Sequence, residues 1–244
     1  MSSTTERLRE RWERTRLVMG APRIRVELFG DDEAKSFYTT FSAPHPRFRF
    51  TQAKRWGVAL LDLPRSFDEY LAGGSREYVR RQRRRAEKAG FHYAIVSPLD
   101  HLDDILAINR SAPTRQGRPM REAYLDRERV RDSFIDRPEV HGVLDADGRL
   151  WAYAATDRMG DAYLVGILLG HADVLAQGAM YYLISEVVRW CIGSRAADGT
   201  PHWLMYDTFW GASKGLAYFK ERMGFRPYTV EWVWVEPGPI GSAV

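Results

Sequence analysis

Cysteine is almost missing from this sequence: Cys191 stands alone among 244 residues. That excludes intramolecular disulfides and any multi-cysteine zinc site. Cys191 falls on the apolar face of a predicted helix with Met180, Leu183, Ile184 and Val187, the place of a buried filler rather than a nucleophile. No apolar run approaches the roughly 20 residues of a membrane span. The first residues, Met1 to Arg7, lack the apolar stretch of a signal peptide, so the expected location is cytoplasmic. The six histidines show no H-x-x-x-H or H-E-x-x-H spacing, and no metal site is expected. A Ser-His or Cys-His pair is not legible either, which argues against a covalent intermediate.

Positive charge, by contrast, is abundant in one place. The net charge is only +4, but Arg76, Arg80, Arg81, Arg83, Arg84, Arg85 and Lys88 crowd into one segment offset by Glu77 and Glu87 alone. Such a field attracts a polyanion, a nucleic-acid backbone or a phosphorylated substrate, unless it is simply a solvated helix face. With 45% hydrophobic residues the chain can bury a sizeable core.

Residues 1–91 read as an incomplete N-terminal lobe. A helix is expected over Glu6–Arg16, strands over Ile24–Phe29 and Trp56–Leu63, and Gly73-Gly74 precedes an arginine-rich helix, 75–89, with Ser75 as its N-cap. From His92 the order is a strand (His92–Ser97), helices Leu102–Ser111 and Arg121–Ile135, then a hairpin of Val140–Leu144 and Leu150–Thr156. Strand Tyr163–Leu168, helix Ala179–Ile192, strand Trp203–Tyr206, a helix around Lys220 and strand Val230–Val235 complete it. Residues 92–236 form the second unit and 237–244 a tail.

This β-α-α-β-β-β-α-β-α-β order resembles the GNAT acetyltransferase superfold, an α/β (α+β) class with a mixed, mostly antiparallel sheet flanked by helices. The resemblance implies that Tyr163–Leu168 and Trp203–Tyr206 splay apart around an acyl donor. Gly166, an isolated strand glycine, is then a candidate dock for the acyl carbonyl, or else room for a bulky cross-strand neighbour. The acyl-CoA loop of that superfold, Q/R-x-x-G-x-G/A, is matched only in part by Leu175-Ala176-Gln177-Gly178-Ala179-Met180. Gln177, Gly178 and Ala179 are its candidate phosphate-binding residues, with Met180 where a small residue is wanted.

Leu216, Phe219 and Met223 share one helix face, and Lys220 lies inside that stripe. Its ammonium must either snorkel out to water or meet an anionic or developing negative group. Gly215-Leu216, Phe219-Lys220 and Gly224-Phe225 together resemble the ending of Fem-type (FemABX-like) transferases, where GNAT acetyltransferases carry tyrosine at the Lys220 position. Arg76 to Phe91 and the Arg115-Gln116-Gly117 loop resemble the same group. The resemblance implies an aminoacyl-tRNA-dependent transferase without a tightly bound cofactor, joining an aminoacyl group to the amine of a small molecule or peptide. Lys220 then stabilises the oxyanion, and Asp207 aligns or deprotonates the amine. Arg76, Arg80, Arg83 and Arg84 meet the donor; Arg115 binds an acceptor carboxylate or phosphate, or else belongs to a surface loop; Tyr182 and Tyr218 are candidate proton shuttles at the substrate, or else packing aromatics. An acyl-CoA-dependent N-acyltransferase and a non-catalytic nucleic-acid or phosphate-binding module remain open as alternatives.

Overall fold

The run Val58-Ala59-Leu60-Leu61 offers no polar face, and in a computed structural model of the chain it forms a strand, β2 (Val58–Asp62), buried on both sides. The structure describes residues 20–46, 49–115, 118–197, 199–210 and 212–236. The expected helix Glu6–Arg16, residues Gln116 and Gly117, and the tail 237–244 lie outside them. Preceding β2 are β1 (Arg23–Leu28) and α1 (Asp32–Ser42), the latter started by Asp31, whose side chain accepts from the Ala34 amide. After it come α2 (Phe67–Leu71), α3 (Glu77–Lys88), β3 (His92–Val96), α4 (Leu102–Arg110), the two-residue strands β4 (Thr114–Arg115) and β5 (Arg118–Pro119), and α5 (Arg127–Asp132). The hairpin β6 (Val140–Leu144) and β7 (Leu150–Met159), then β8 (Ala162–Gly170), α6 (Ala179–Gly193), β9 (Trp203–Thr208), α7 (Lys214–Met223) and β10 (Arg226–Trp234) complete the order.

Eight strands form one sheet in the order β1-β10-β2-β9-β8-β7-β6-β3, with only β1/β10 and β8/β9 parallel. The fold is thus the mixed, mostly antiparallel α/β arrangement that the element order implies. β2 lies between β9 and β10, so a strand from the first third of the chain separates the last two. One face packs on α2, α3, α6 and α7 through Tyr70, Val79, Ala86, Val187 and Met223; the other packs on α1, α4 and α5 through Phe41, Ile105 and Phe134.

Two expected helices are corrected. In place of one helix over Arg121–Ile135 there is a short 3-10 turn, Glu122–Tyr124, and then α5. Asp126 interrupts it by turning its side chain onto the Arg129 amide, a local bond that starts a new helix. Ser75 does not cap α3; it sits inside a 3-10 turn, Gly74–Arg76, and α3 begins without a side-chain cap.

Where β8 and β9 part, the sheet opens. They pair only through Ala162↔Trp203, Tyr163↔Leu204 and Leu164↔Met205, after which β8 runs on to Gly170 and β9 to Thr208 unpaired with each other. Each strand carries a bulge just past that point. On β8, Val165 and Ile167 pair with consecutive residues of β7, leaving Gly166 as the extra residue. On β9, Tyr206 and Asp207 together oppose Ala59 of β2. Bulges of this kind bend a strand and end its pairing on one side.

Candidate active site at the splayed strands

Lys220 is fully buried, with 0% exposure. Helix α7 is held at both ends: the Ser213 hydroxyl accepts from the Leu216 amide, and Gly224, at φ 98°, turns its own amide back onto the carbonyls of Lys220 and Glu221. That left-handed residue is the common glycine stop of a helix. It fixes Lys220 one turn from the C-terminus, aimed at the end of β9. There Nζ donates to the Thr208 carbonyl at 2.8 Å and lies over the rings of Tyr206, 4.7 Å from its centroid, and Phe209, 5.7 Å. The ammonium does not snorkel; it sits in an aromatic collar. Burial pushes its pKa down to about 8; Asp207 opposes the fall and Lys54 adds to it.

Asp207 is the only non-glycine residue at positive φ among the described residues, at 50°. Such a backbone costs an L-residue about 1–2 kcal/mol, and Asp tolerates it better than most. The bulge of β9 demands it, and the strand therefore runs through Asp207 rather than ending before it. Its carboxylate, 61% exposed, pairs with Lys54 from the loop before β2. Lys54 is not legible as a site residue in the sequence, since 153 residues separate the two and no local pattern links them.

Gly166 is exposed and stands at the β8 bulge, facing Asp157 on β7: a Cβ added there would lie 3.2 Å from Asp157 Oδ2. The bulky neighbour across the sheet is therefore a carboxylate, not an aromatic ring.

The other expected residues divide sharply. Gly178 opens α6 at φ 85°, but a Cβ there would collide with the main-chain carbonyl of Gln82 on α3, and both Gly178 and Ala179 are buried. This glycine serves helix packing, so α3 covers the helix N-terminus where a pyrophosphate would have to dock. Gln177 bonds the Asp173 carbonyl of its own turn.

The arginines are corrected in the same way. Arg83 is buried, pairing with Glu186 and bonding Ser185 of α6. Arg76 donates to the carbonyls of Tyr70 and Arg222, capping α7 and filling the space beside Gly224. Arg80 binds the carbonyls of Leu71 and Gly73. Only Arg84 of the four stands exposed, beside Arg81 and Arg85. The period of α3 turns every third or fourth residue inward, Arg80 and Arg83 among them.

Arg115 is half-buried and staples its loop to the end of β8, donating to Gly170, Ile108 and Ser111. It has no free face for an acceptor carboxylate among the described residues beyond its Nε, which is buried and unpartnered there. Tyr182 is buried under the Arg83 guanidinium, 5.0 Å from its ring centroid. Tyr218 is 44% exposed and shares with Tyr78 and Tyr181 an aromatic patch across α7, α3 and α6, with the Arg222 guanidinium 4.8 Å from the Tyr218 centroid. Lys220, Asp207 and the two bulges are thus brought together at the splay, while most of the arginines are structural.

Among the described residues no helix is long and apolar enough to cross a membrane. No family model and no curated protein matches the chain. Solved structures do. FemX is 11% identical over 70% of this chain and 59% of that one, with a TM-score of 0.53. The C-terminal domain of a lysylphosphatidylglycerol synthetase from Agrobacterium fabrum is 15% identical over 70% of this chain and 57% of that one, at 0.45. L-PGS from Bacillus licheniformis gives 15%, 70%, 57% and 0.46. The chain spans under three fifths of the length of each of these structures. At this identity the FemX likeness is one of fold: the chain has a Fem-like architecture.

Proposed function

We propose that the chain is an acyltransferase that moves an aminoacyl group from charged tRNA to the amine of a small molecule or peptide, in the cytoplasm. The observation that carries this reading is a lysine held dry at the mouth of two splayed, bulged strands. Attack of an amine on the ester carbonyl builds a tetrahedral oxyanion, and a fixed ammonium in a dry site stabilises that charge without giving up a proton. The new C–N bond forms as the ester C–O bond breaks; the proton lost by the attacking nitrogen leaves with the ribose oxygen. Asp207, exposed and beside Lys220, is placed to take the first proton from the substrate ammonium and release it to water, which frees the nitrogen lone pair for attack. The Gly166 amide would polarise the carbonyl from the other strand.

The donor follows from the Fem-type ending read in the sequence, and the covered N-terminus of α6 supports it by leaving no cradle for a coenzyme A pyrophosphate. Arg81, Arg84 and Arg85 with the Tyr78, Tyr181 and Tyr218 rings offer a surface of charge and stacking that suits an RNA end. The test is intact mass of candidate amines after incubation with the protein and charged tRNA. A mass gain of one aminoacyl residue supports the reading; acylation from acyl-CoA but not from charged tRNA refutes the donor.

A further inference from the structure

A cavity of about 660 Å³ opens at the ends of β6 and β7, lined from α1, from the segment after α5 and by Trp190 of α6. Volumes of this order hold small ligands. Its lining carries five carboxylates against two guanidiniums, although the whole chain is net positive at +4. Asp31, Glu33, Asp136 and Glu139 stand at its exposed rim. His141 adds no charge: it is buried between the Tyr93 hydroxyl at 2.8 Å and the Thr156 hydroxyl at 2.9 Å, and burial lowers its pKa to about 4.

The fifth carboxylate differs from the rest. The Asp157 side chain is only 9% exposed. Its Oδ1 takes a hydrogen bond from Arg137, a guanidinium also shared with Glu33 at 3.7 Å. Its Oδ2 has no donor among the described residues and faces the Gly166 bulge. Burial raises its pKa, and the paired Arg137 opposes that rise. The cavity thus reaches an acceptor oxygen on β7 that faces the β8 bulge, where the proposed reaction docks its carbonyl. Trp190 and Ile95 give the same cavity apolar walls that suit a methylene chain.

We infer that this cavity seats a cationic aliphatic amine of the polyamine type, its terminal nitrogen bonded to Asp157 Oδ2 and its remaining charges held by the rim carboxylates. As the acceptor of the reaction it rests on the acyl-transfer reading; as a cation site it does not.

Spermidine titrated by calorimetry into the full chain tests it. The Asp136→Asn/Glu139→Gln double variant alters exposed side chains only and keeps the fold, and Asp157→Asn is isosteric. Binding should weaken roughly tenfold in each, as removal of one or two directly facing charges requires. Equal affinity in wild type and the double variant, or no binding at millimolar spermidine, overturns the inference. Intact mass of spermidine after incubation with charged tRNA separates the two readings. Site-dependent binding without acylation keeps the cation site and removes this acceptor from the transferase reading; acylation of other amines without spermidine binding does the reverse.

Discussion

Replacing Lys220 by methionine keeps the length and apolar volume of the stem and removes only the charge. A fall in pKa from 10.5 to about 8 corresponds to roughly 3 kcal/mol against the charged form in the folded protein, at about 1.4 kcal/mol per tenfold change. Because the folded pKa lies below the unfolded one, the unfolded chain holds the proton more tightly between pH 8 and 10.5. Stability therefore rises with pH through that window, and the burial penalty is in full force below it. Methionine relieves that penalty but orphans the Thr208 carbonyl, worth about 1–3 kcal/mol. The two nearly cancel, so urea unfolding at pH 7 should place the variant within about 2 kcal/mol of wild type. Its kcat/KM for amide formation should fall on the order of 100- to 1000-fold, the usual cost of one oxyanion donor. Near-normal turnover would refute the catalytic role. A wild-type stability curve that is flat from pH 8 to 10.5, or that matches the slope of the variant, would refute the buried charge.

Asp207→Asn tolerates the left-handed backbone, so it should fold normally and lose activity by about tenfold or more; Asp207→Val should also lose roughly 1–2 kcal/mol of stability by urea titration. Gly178→Ala combines positive φ with a collision against a main-chain carbonyl, and should destabilise by about 2–4 kcal/mol in the same assay. Coenzyme A should bind no better than roughly millimolar by calorimetry, near −4 kcal/mol, and micromolar binding would reverse the donor assignment. Alanine at Arg81, Arg84 and Arg85 should flatten the salt dependence of tRNA binding by about one counterion for each phosphate no longer neutralised. Arg83→Ala should instead cost about 1–3 kcal/mol of stability by urea titration, since it removes the hydrogen-bonded partner of the buried Glu186 and leaves only Arg189 at 3.4 Å.

Much of the fold was legible because its signals are local. Strand and helix periods, the Gly224 stop and the interrupted stripe around Lys220 all lie within a dozen residues. The sequence also singles out Gly166, an isolated glycine in an apolar strand, and the register of β7 and β8 makes it a bulge. What it hides is register. That Tyr206 and Asp207 together face one residue of β2 depends on a strand nearly 150 residues earlier, and so do the positive φ of Asp207 and its pairing with Lys54. The direction of each arginine on α3 is hidden for the same reason: only the position of α6 decides that Arg83 meets Glu186 while Arg84 meets water.

The same hidden packing gives one partly matched motif a second physical reason for its glycine. Gly178 satisfies the pattern of a phosphate loop because close approach of a backbone requires glycine, whatever approaches. Here the approaching group is the Gln82 carbonyl of α3, which a Cβ at Gly178 would strike. The inward arginine of α3 completes the arrangement by neutralising Glu186 further along α6. A helix that looks in sequence like a polyanion platform is thus half mortar and half platform. Its inner half packs against α6, and its outer half leaves Arg81, Arg84 and Arg85 facing the solvent beside the tyrosine patch of α7.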